Sequence, residues 1–268
     1  MAGTPCNFWY NVFYSLPVAL WRIGKTGIAC ILKELSMIDA RKQDRLTLAL
    51  GIAVFAFAGL CWFYALKFAP PDAAQGEVYR IIYFHVPSAI TAFLSSAVLA
   101  VLSLWTLFKR SPTAAVWSKA SAEVGLIFTV LTLVTGSIWG RPTWGVWWDW
   151  DARLTTTLLL ALLYAGYLIF TSSMSPGPQR DRMSAALGVI IGLDVPIIYK
   201  SVTWWRTLHQ PPSLLRSGGS SMDPDMVKIL MTCLVAMILI GAWLLWTRSV
   251  NLKLQASIEE HSHSVHSH

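Results

Sequence analysis

The sequence predicts an all-α, polytopic membrane protein with six transmembrane helices and both termini cytoplasmic. Three observations predict it. First, 55% of the 268 residues are hydrophobic and only 13% are charged, against about 25% charged in an ordinary soluble domain. The mean hydropathy is +0.53. Second, six apolar runs fall near 46–66, 86–108, 123–139, 154–172, 183–203 and 227–247, each close to the roughly 17–25 residues that cross a bilayer as a helix. Third, Lys and Arg are divided unequally between the two sides those runs define.

The elements follow in order. Lipid offers no hydrogen bonds to a bare backbone, so each apolar run is expected to be a helix. Arg22, Lys25, Lys33, Arg41, Lys42 and Arg45 precede the first run. Lys109, Arg110 and Lys119 follow the second, Arg180 and Arg182 the fourth, and Arg248 and Lys253 the sixth. That side carries 13 basic residues and the opposite side 8, so the richer side is assigned to the cytoplasm. The net charge of +7 is read as loops facing anionic lipid rather than nucleic acid. Residues 1–45 form a cytoplasmic or interfacial extension, 46–250 the membrane domain and 251–268 a His-rich cytoplasmic tail. The first 36 residues read either as an interfacial helix or as sequence upstream of a start at Met37. They hold no clean cleavage site for a signal peptide.

Several chemistries are excluded. Cys6, Cys30, Cys61 and Cys233 make no C-x-x-C pair and no C-x-x-C-H, so there is neither a thioredoxin-like motif nor covalent haem attachment. No phosphate-binding G-x-x-x-x-G-K-[ST] occurs, so any ATP dependence must come from a partner.

The chemistry-bearing residues gather on the outer side. Five of the fourteen tryptophans, Trp139, Trp144, Trp147, Trp148 and Trp150, fall within twelve residues, followed by Asp151 and Arg153. This outer loop is placed at 139–153. His85 lies in Tyr79-Arg-Ile-Ile-Tyr-Phe-His85-Val-Pro87, and His209 in Trp204-Trp205-Arg-Thr-Leu-His209-Gln. They are the only histidines before the tail. Two imidazoles complete octahedral coordination of a haem iron. Tryptophans stack on a flat ring and favour the membrane interface. Arg141, Arg153 and Arg206 suit propionates as forked donors. The competing reading of the tryptophans is an aromatic belt, but a belt gains nothing from Gly145, Asp149 and Asp151. A lone interfacial histidine is usually a surface group; two on one face, beside aromatics, favour ligation. The tail histidines His261, His263, His266 and His268 lie on the other side and read as a solvated, disordered segment. Asp194 sits eleven residues into the fifth run, roughly 16 Å deep at 1.5 Å per residue. It reads either as a protonated partner for a nearby carbonyl or as a contact to another subunit.

The segment Trp144-Gly-Val-Trp147-Trp148-Asp-Trp150-Asp151-Ala-Arg-Leu-Thr resembles the WWD signature of haem-handling proteins. With Tyr79–Pro87 and Trp204–Gln210 it resembles, more narrowly, the cytochrome c maturation protein C (CcmC) family over about 46–250. The N-terminal extension is longer than the family pattern, and Asp194 stands where a neutral polar residue is expected. The resemblance implies a protein of the bacterial inner membrane that holds haem b at the periplasmic face. His85 and His209 would be the iron ligands, and Trp139, Trp144, Trp147, Trp148, Trp150, Asp151 and Arg153 would be haem-binding. It further implies delivery to the haem chaperone CcmE, together with CcmA, CcmB and CcmD, by a carrier rather than an enzyme. The alternative is a cytochrome c synthetase. Such proteins are larger, with extra histidines inside the membrane, which this chain lacks. A cytochrome b-type subunit would bury paired histidines within facing helices.

Overall fold

The computed structural model describes residues 23–209 and 222–266. Six helices carry the fold: α1 (Ile23–Phe68), α2 (Ile82–Lys109), α3 (Pro112–Trp144), α4 (Ala152–Ser173), α5 (Pro178–Trp204) and α6 (Pro224–His266). A 3-10 turn, Glu77–Ile81, leads into α2. Among the described residues there is no strand, only an isolated bridge between Asp72 and Gly76. All six helices contain a stretch long and apolar enough to cross a membrane. The chain divides into two units, Met1–Ile52 and Ala53–His268. The described part of the first is helical and exposes Leu46, Leu48, Leu50 and Ile52.

In the second unit α2 packs against α3, α5 and α6, and its pattern explains why. Its buried face carries Ser88, Thr91, Ala92, Ser95, Ser96, Leu99 and Ser103, whereas Leu94, Val98, Val101, Leu104, Trp105 and Phe108 are exposed. This is the reverse of a soluble helix. Lipid is as apolar as leucine, so large side chains gain little by turning inward, while small ones let backbones approach. Four of these five buried hydroxyls donate to the carbonyl one turn back, among them Ser88 to Phe84 at 2.8 Å, Thr91 to Pro87 at 2.8 Å and Ser95 to Thr91 at 2.9 Å; that of Ser103 has no partner among the described residues. Others tie helices together. Ser121 of α3 donates to the Ser95 carbonyl at 2.9 Å, and Tyr164 of α4 meets Ser96 at 2.7 Å.

Pro87 lies inside α2. It has no N–H for the Tyr83 carbonyl, and an orphaned carbonyl in an apolar core costs energy. The Trp62 indole of α1 donates to that carbonyl at 3.2 Å. The turn that carries His85 is thereby held from outside the helix.

Two helix ends differ from the sequence expectation. α3 runs on through Trp139 to Trp144, so the connection between spans shrinks to residues 145–151. Pro142 lies within its last turn without ending it. The stop is Gly145, at φ +84°, a left-handed conformation that glycine adopts without strain. α6 continues to His266, so the tail expected to be disordered is helical over residues 251–266. Leu252, Lys253, Leu254, Gln255, Ala256, Glu259 and Glu260 are good helix formers, and nothing before Ser267 breaks the run.

Candidate functional site

One end of the bundle is hollow. A cavity of about 280 Å³ opens between the first turns of α2 and α4 and the last turns of α3 and α5. His85, Trp139, Trp144, Arg153, Tyr199 and His209 line it. Deeper walls come from Phe93, Thr132 and Leu160. Both predicted ligands, two of the five tryptophans and one arginine thus share one chamber. Trp147 and Trp150 lie outside its lining and are 59% and 72% exposed. Trp148 stacks edge-on against Trp150, centroids 5.5 Å apart.

His85 is held from three sides. It is buried, and its ring meets Trp139 edge-on at 5.6 Å. A Cβ on Gly136 would sit 3.0 Å from its Cε1, so glycine lets the ring lie against α3 in a closer approach than most side chains allow. Its Nδ1 is 2.9 Å from the Thr135 Oγ1. The single hydroxyl hydrogen of Thr135 goes to the Leu131 carbonyl at 2.7 Å. Thr135 therefore accepts from Nδ1–H, and the other ring nitrogen, Nε2, keeps its lone pair for a ligand.

Trp139 is fixed in turn. Its indole donates to the Gln75 side chain at 2.8 Å, and its ring meets Tyr79 at 5.6 Å. Gln75 is held by the Asp72 carboxylate, which accepts the Ala74 and Gln75 N–H groups at 2.9 and 2.8 Å. Arg80 donates to the Leu66 carbonyl and, at 2.8 Å, to the Ala69 carbonyl, closing the C-terminal end of α1. None of Gln75, Tyr79, Thr135 and Gly136 was singled out by sequence as a site residue. Gln75, Thr135 and Gly136 lie in no motif, Tyr79 only heads the one that holds His85, and Thr135 is 50 positions from the histidine it orients.

His209 follows α5. Its ring lies 5.1 Å from Trp144, and its Nδ1 is buried with no partner among the described residues. Its backbone N–H donates to the Thr207 Oγ1 at 3.1 Å, and the Thr207 hydroxyl donates to Asp151 Oδ2. Asp151 also caps α4, accepting the Leu154 N–H at 2.7 Å. Burial, then the Arg153 guanidinium, push His209 down to about 4, against the pull of the Asp151 carboxylate. The ring is neutral at physiological pH, as a metal ligand must be. From its ordinary value of 6.5 down to about pH 4, the unfolded chain binds a proton that the folded one does not. Stability contributed by this group is therefore intact above pH 6.5 and falls as pH drops through that window. We expect ligation by His209, followed by absorption during acid titration, to survive pH 6 and to fail as pH approaches 4. Loss centred near pH 6.5 would show the ring to be solvated.

Asp194 is buried in α5, and its Oδ2 has no partner among the described residues. It does not line the cavity. Arg141 and Arg206 are exposed outside it. Among the described residues no cluster of three or more His, Cys, Asp or Glu is placed to hold a bare metal ion. A pair of histidines suits instead an iron whose other four ligands come with it.

The fold and the site define a class: an all-helical multi-pass membrane protein with an aromatic two-histidine chamber at one end of its bundle. The chain belongs to the Heme exporter protein C (CcmC) family, which it matches over residues 36–264. It is 42% identical over 177 residues to the Heme exporter protein C of Bradyrhizobium diazoefficiens, covering 66% of this chain and 67% of that one. It is 38% identical over 205 residues to the protein of the same name from Escherichia coli K12, covering 76% and 82%. With the Haemophilus influenzae relative it shares 39% over 193 residues, covering 71% and 76%.

Proposed function

We propose that the chain binds haem b at the outer face of the bacterial inner membrane and presents it to the chaperone CcmE during c-type cytochrome biogenesis. It acts with CcmA, CcmB and CcmD, as a carrier rather than an enzyme. The observation that carries this reading is the convergence of His85 and His209 on one cavity walled by Trp139 and Trp144. The excess of Lys and Arg on the opposite side supports an outward-facing site. Arg153, in the lining, supplies a cation for a propionate. At about 280 Å³ the cavity lies just below the roughly 300–1,000 Å³ of ligand pockets. A ligand the size of a porphyrin fills it and projects beyond it. The part outside is the part a chaperone reaches.

Trp147 tests presentation apart from binding, since it is exposed and off the cavity wall. We expect Trp147→Ala to keep haem and its spectrum, while covalent haem on the chaperone falls by up to on the order of a hundredfold through misplacement of the ring edge. Equal loss of haem on both proteins would mean that Trp147 only binds, and presentation would fail as the mechanism.

A further inference from the structure

Asp151 ends the Trp-rich segment, but its carboxylate does not face the cavity. It is 7% exposed and absent from the lining. Both oxygens are engaged within the protein. Oδ1 takes the Leu154 N–H at 2.7 Å, and Oδ2 takes the Thr207 hydroxyl. A threonine has one hydroxyl hydrogen. With that hydrogen directed at the carboxylate, Oγ1 presents its lone pairs to the His209 N–H at 3.1 Å. The relay is complete, with every donor used once. A hydroxyl bond to a carboxylate is roughly twice as strong as a neutral one, so this is the firmest attachment the His209 segment shows.

The two histidines are held very differently. His85 sits in a helix, with its ring nitrogen bonded to Thr135 and its ring packed against Gly136 and Trp139. His209 lies past the end of α5, and its Nδ1 has no partner among the described residues. Among those residues, it is held by the Trp144 ring and the Thr207 hydroxyl.

We infer that Asp151 is a positioning residue that latches the His209 segment to the start of α4 through Thr207, making His209 the detachable iron ligand and His85 the fixed one. This rests on the haem-carrying function proposed above. Release then begins on one side. When the latch opens, His209 withdraws, and one axial position is freed for a ligand from the acceptor while His85 keeps hold. The latch joins Asp151 to Thr207, 56 residues apart, and so ties the Trp-rich segment to the second histidine.

Asp151 caps α4, so replacing it confounds latch and helix. Thr207→Val removes the hydroxyl and leaves the cap, Thr207→Ala does so with no added bulk, and Thr207→Ser restores the bond. Each protein is purified in detergent and studied by absorption and electron paramagnetic resonance, with size-exclusion chromatography to confirm folding. The wild type is expected to show a six-coordinate, low-spin spectrum. The Val and Ala variants are expected to retain haem but convert it largely to a five-coordinate, high-spin form, which added imidazole returns to low spin. The Ser variant is expected to match the wild type. A low-spin wild type with unchanged Val and Ala variants would overturn the latch alone. So would folded variants that lose haem altogether, because His85 would then not be the fixed ligand. A wild type that carries no haem would overturn the haem reading itself, and the latch with it.

Discussion

His85→Ala is expected to abolish haem retention, with the Soret band of the purified protein reduced at least about tenfold relative to total protein. Losing an outer-shell partner of a metal ligand already costs 10–100-fold, and here the proposed ligand itself is removed. No other described histidine lines the cavity except His209, which lies outside the helices. The substitution leaves a space beside Gly136, with the Thr135 hydroxyl as a ready acceptor. Added imidazole is therefore expected to restore part of the band. His209→Ala is expected to do less: haem remains, with an altered spectrum. Equal retention in both single variants would contradict the asymmetry of the two ligands.

The second large effect is structural. Gly125→Leu is expected to prevent stable assembly of the bundle. A Cβ there would lie 2.2 Å from the Tyr164 hydroxyl and 2.3 Å from its ring carbon. Tyr164 is fully buried and joined to Ser96 at 2.7 Å. Its ring thus bridges α2, α3 and α4, and it cannot step aside. Overpacking costs about 1–3 kcal/mol, and leaving the buried Tyr164 hydroxyl unpaired, while Ser96 keeps its bond to the Ala92 carbonyl, adds about 1–3 kcal/mol. The sum is a large part of a typical stability of about 5–15 kcal/mol. We expect aggregation or a steep loss of thermal stability in detergent, partly relieved by a second change, Tyr164→Ala, that vacates the space. Unchanged melting of the single variant would show the contact to be loose.

The six spans were legible because their signal is local. A helix in lipid needs only length and hydrophobicity, and every apolar run became one. Helix ends were harder. The sequence places Trp139–Trp144 in a loop because tryptophan, glycine and proline interrupt the apolar run there. The structure keeps them helical because Gly145, not Pro142, supplies the left-handed stop. The tail gave the same lesson in reverse. Its repeated serines and histidines suggest disorder, yet the helix formers before them carry α6 on to His266.

The chamber was legible in its conspicuous lining residues and not in their supports. His85, His209, Trp139, Trp144 and Arg153 are rare or conspicuous residues at span ends, and topology alone brings them to one face. Thr135, Gly136, Gln75 and Thr207 are ordinary residues that act through contacts 50 to 64 positions away. No local pattern marks such pairs. Only the packing of α3 against α2, and of the segment after α5 against the start of α4, shows what they hold. Trp147 and Trp150 share the motif but not the chamber, because the chain leaves the helix at Gly145 and turns them outward.

The most direct test of the account is the visible absorption spectrum of the purified, full-length protein, taken beside that of a His85→Ala/His209→Ala double variant. Two neutral imidazoles converging on one cavity predict a low-spin, bis-histidine haem spectrum in the first and no bound haem in the second. A wild-type preparation that folds but carries no haem, or a double variant that keeps the same low-spin spectrum, would contradict it.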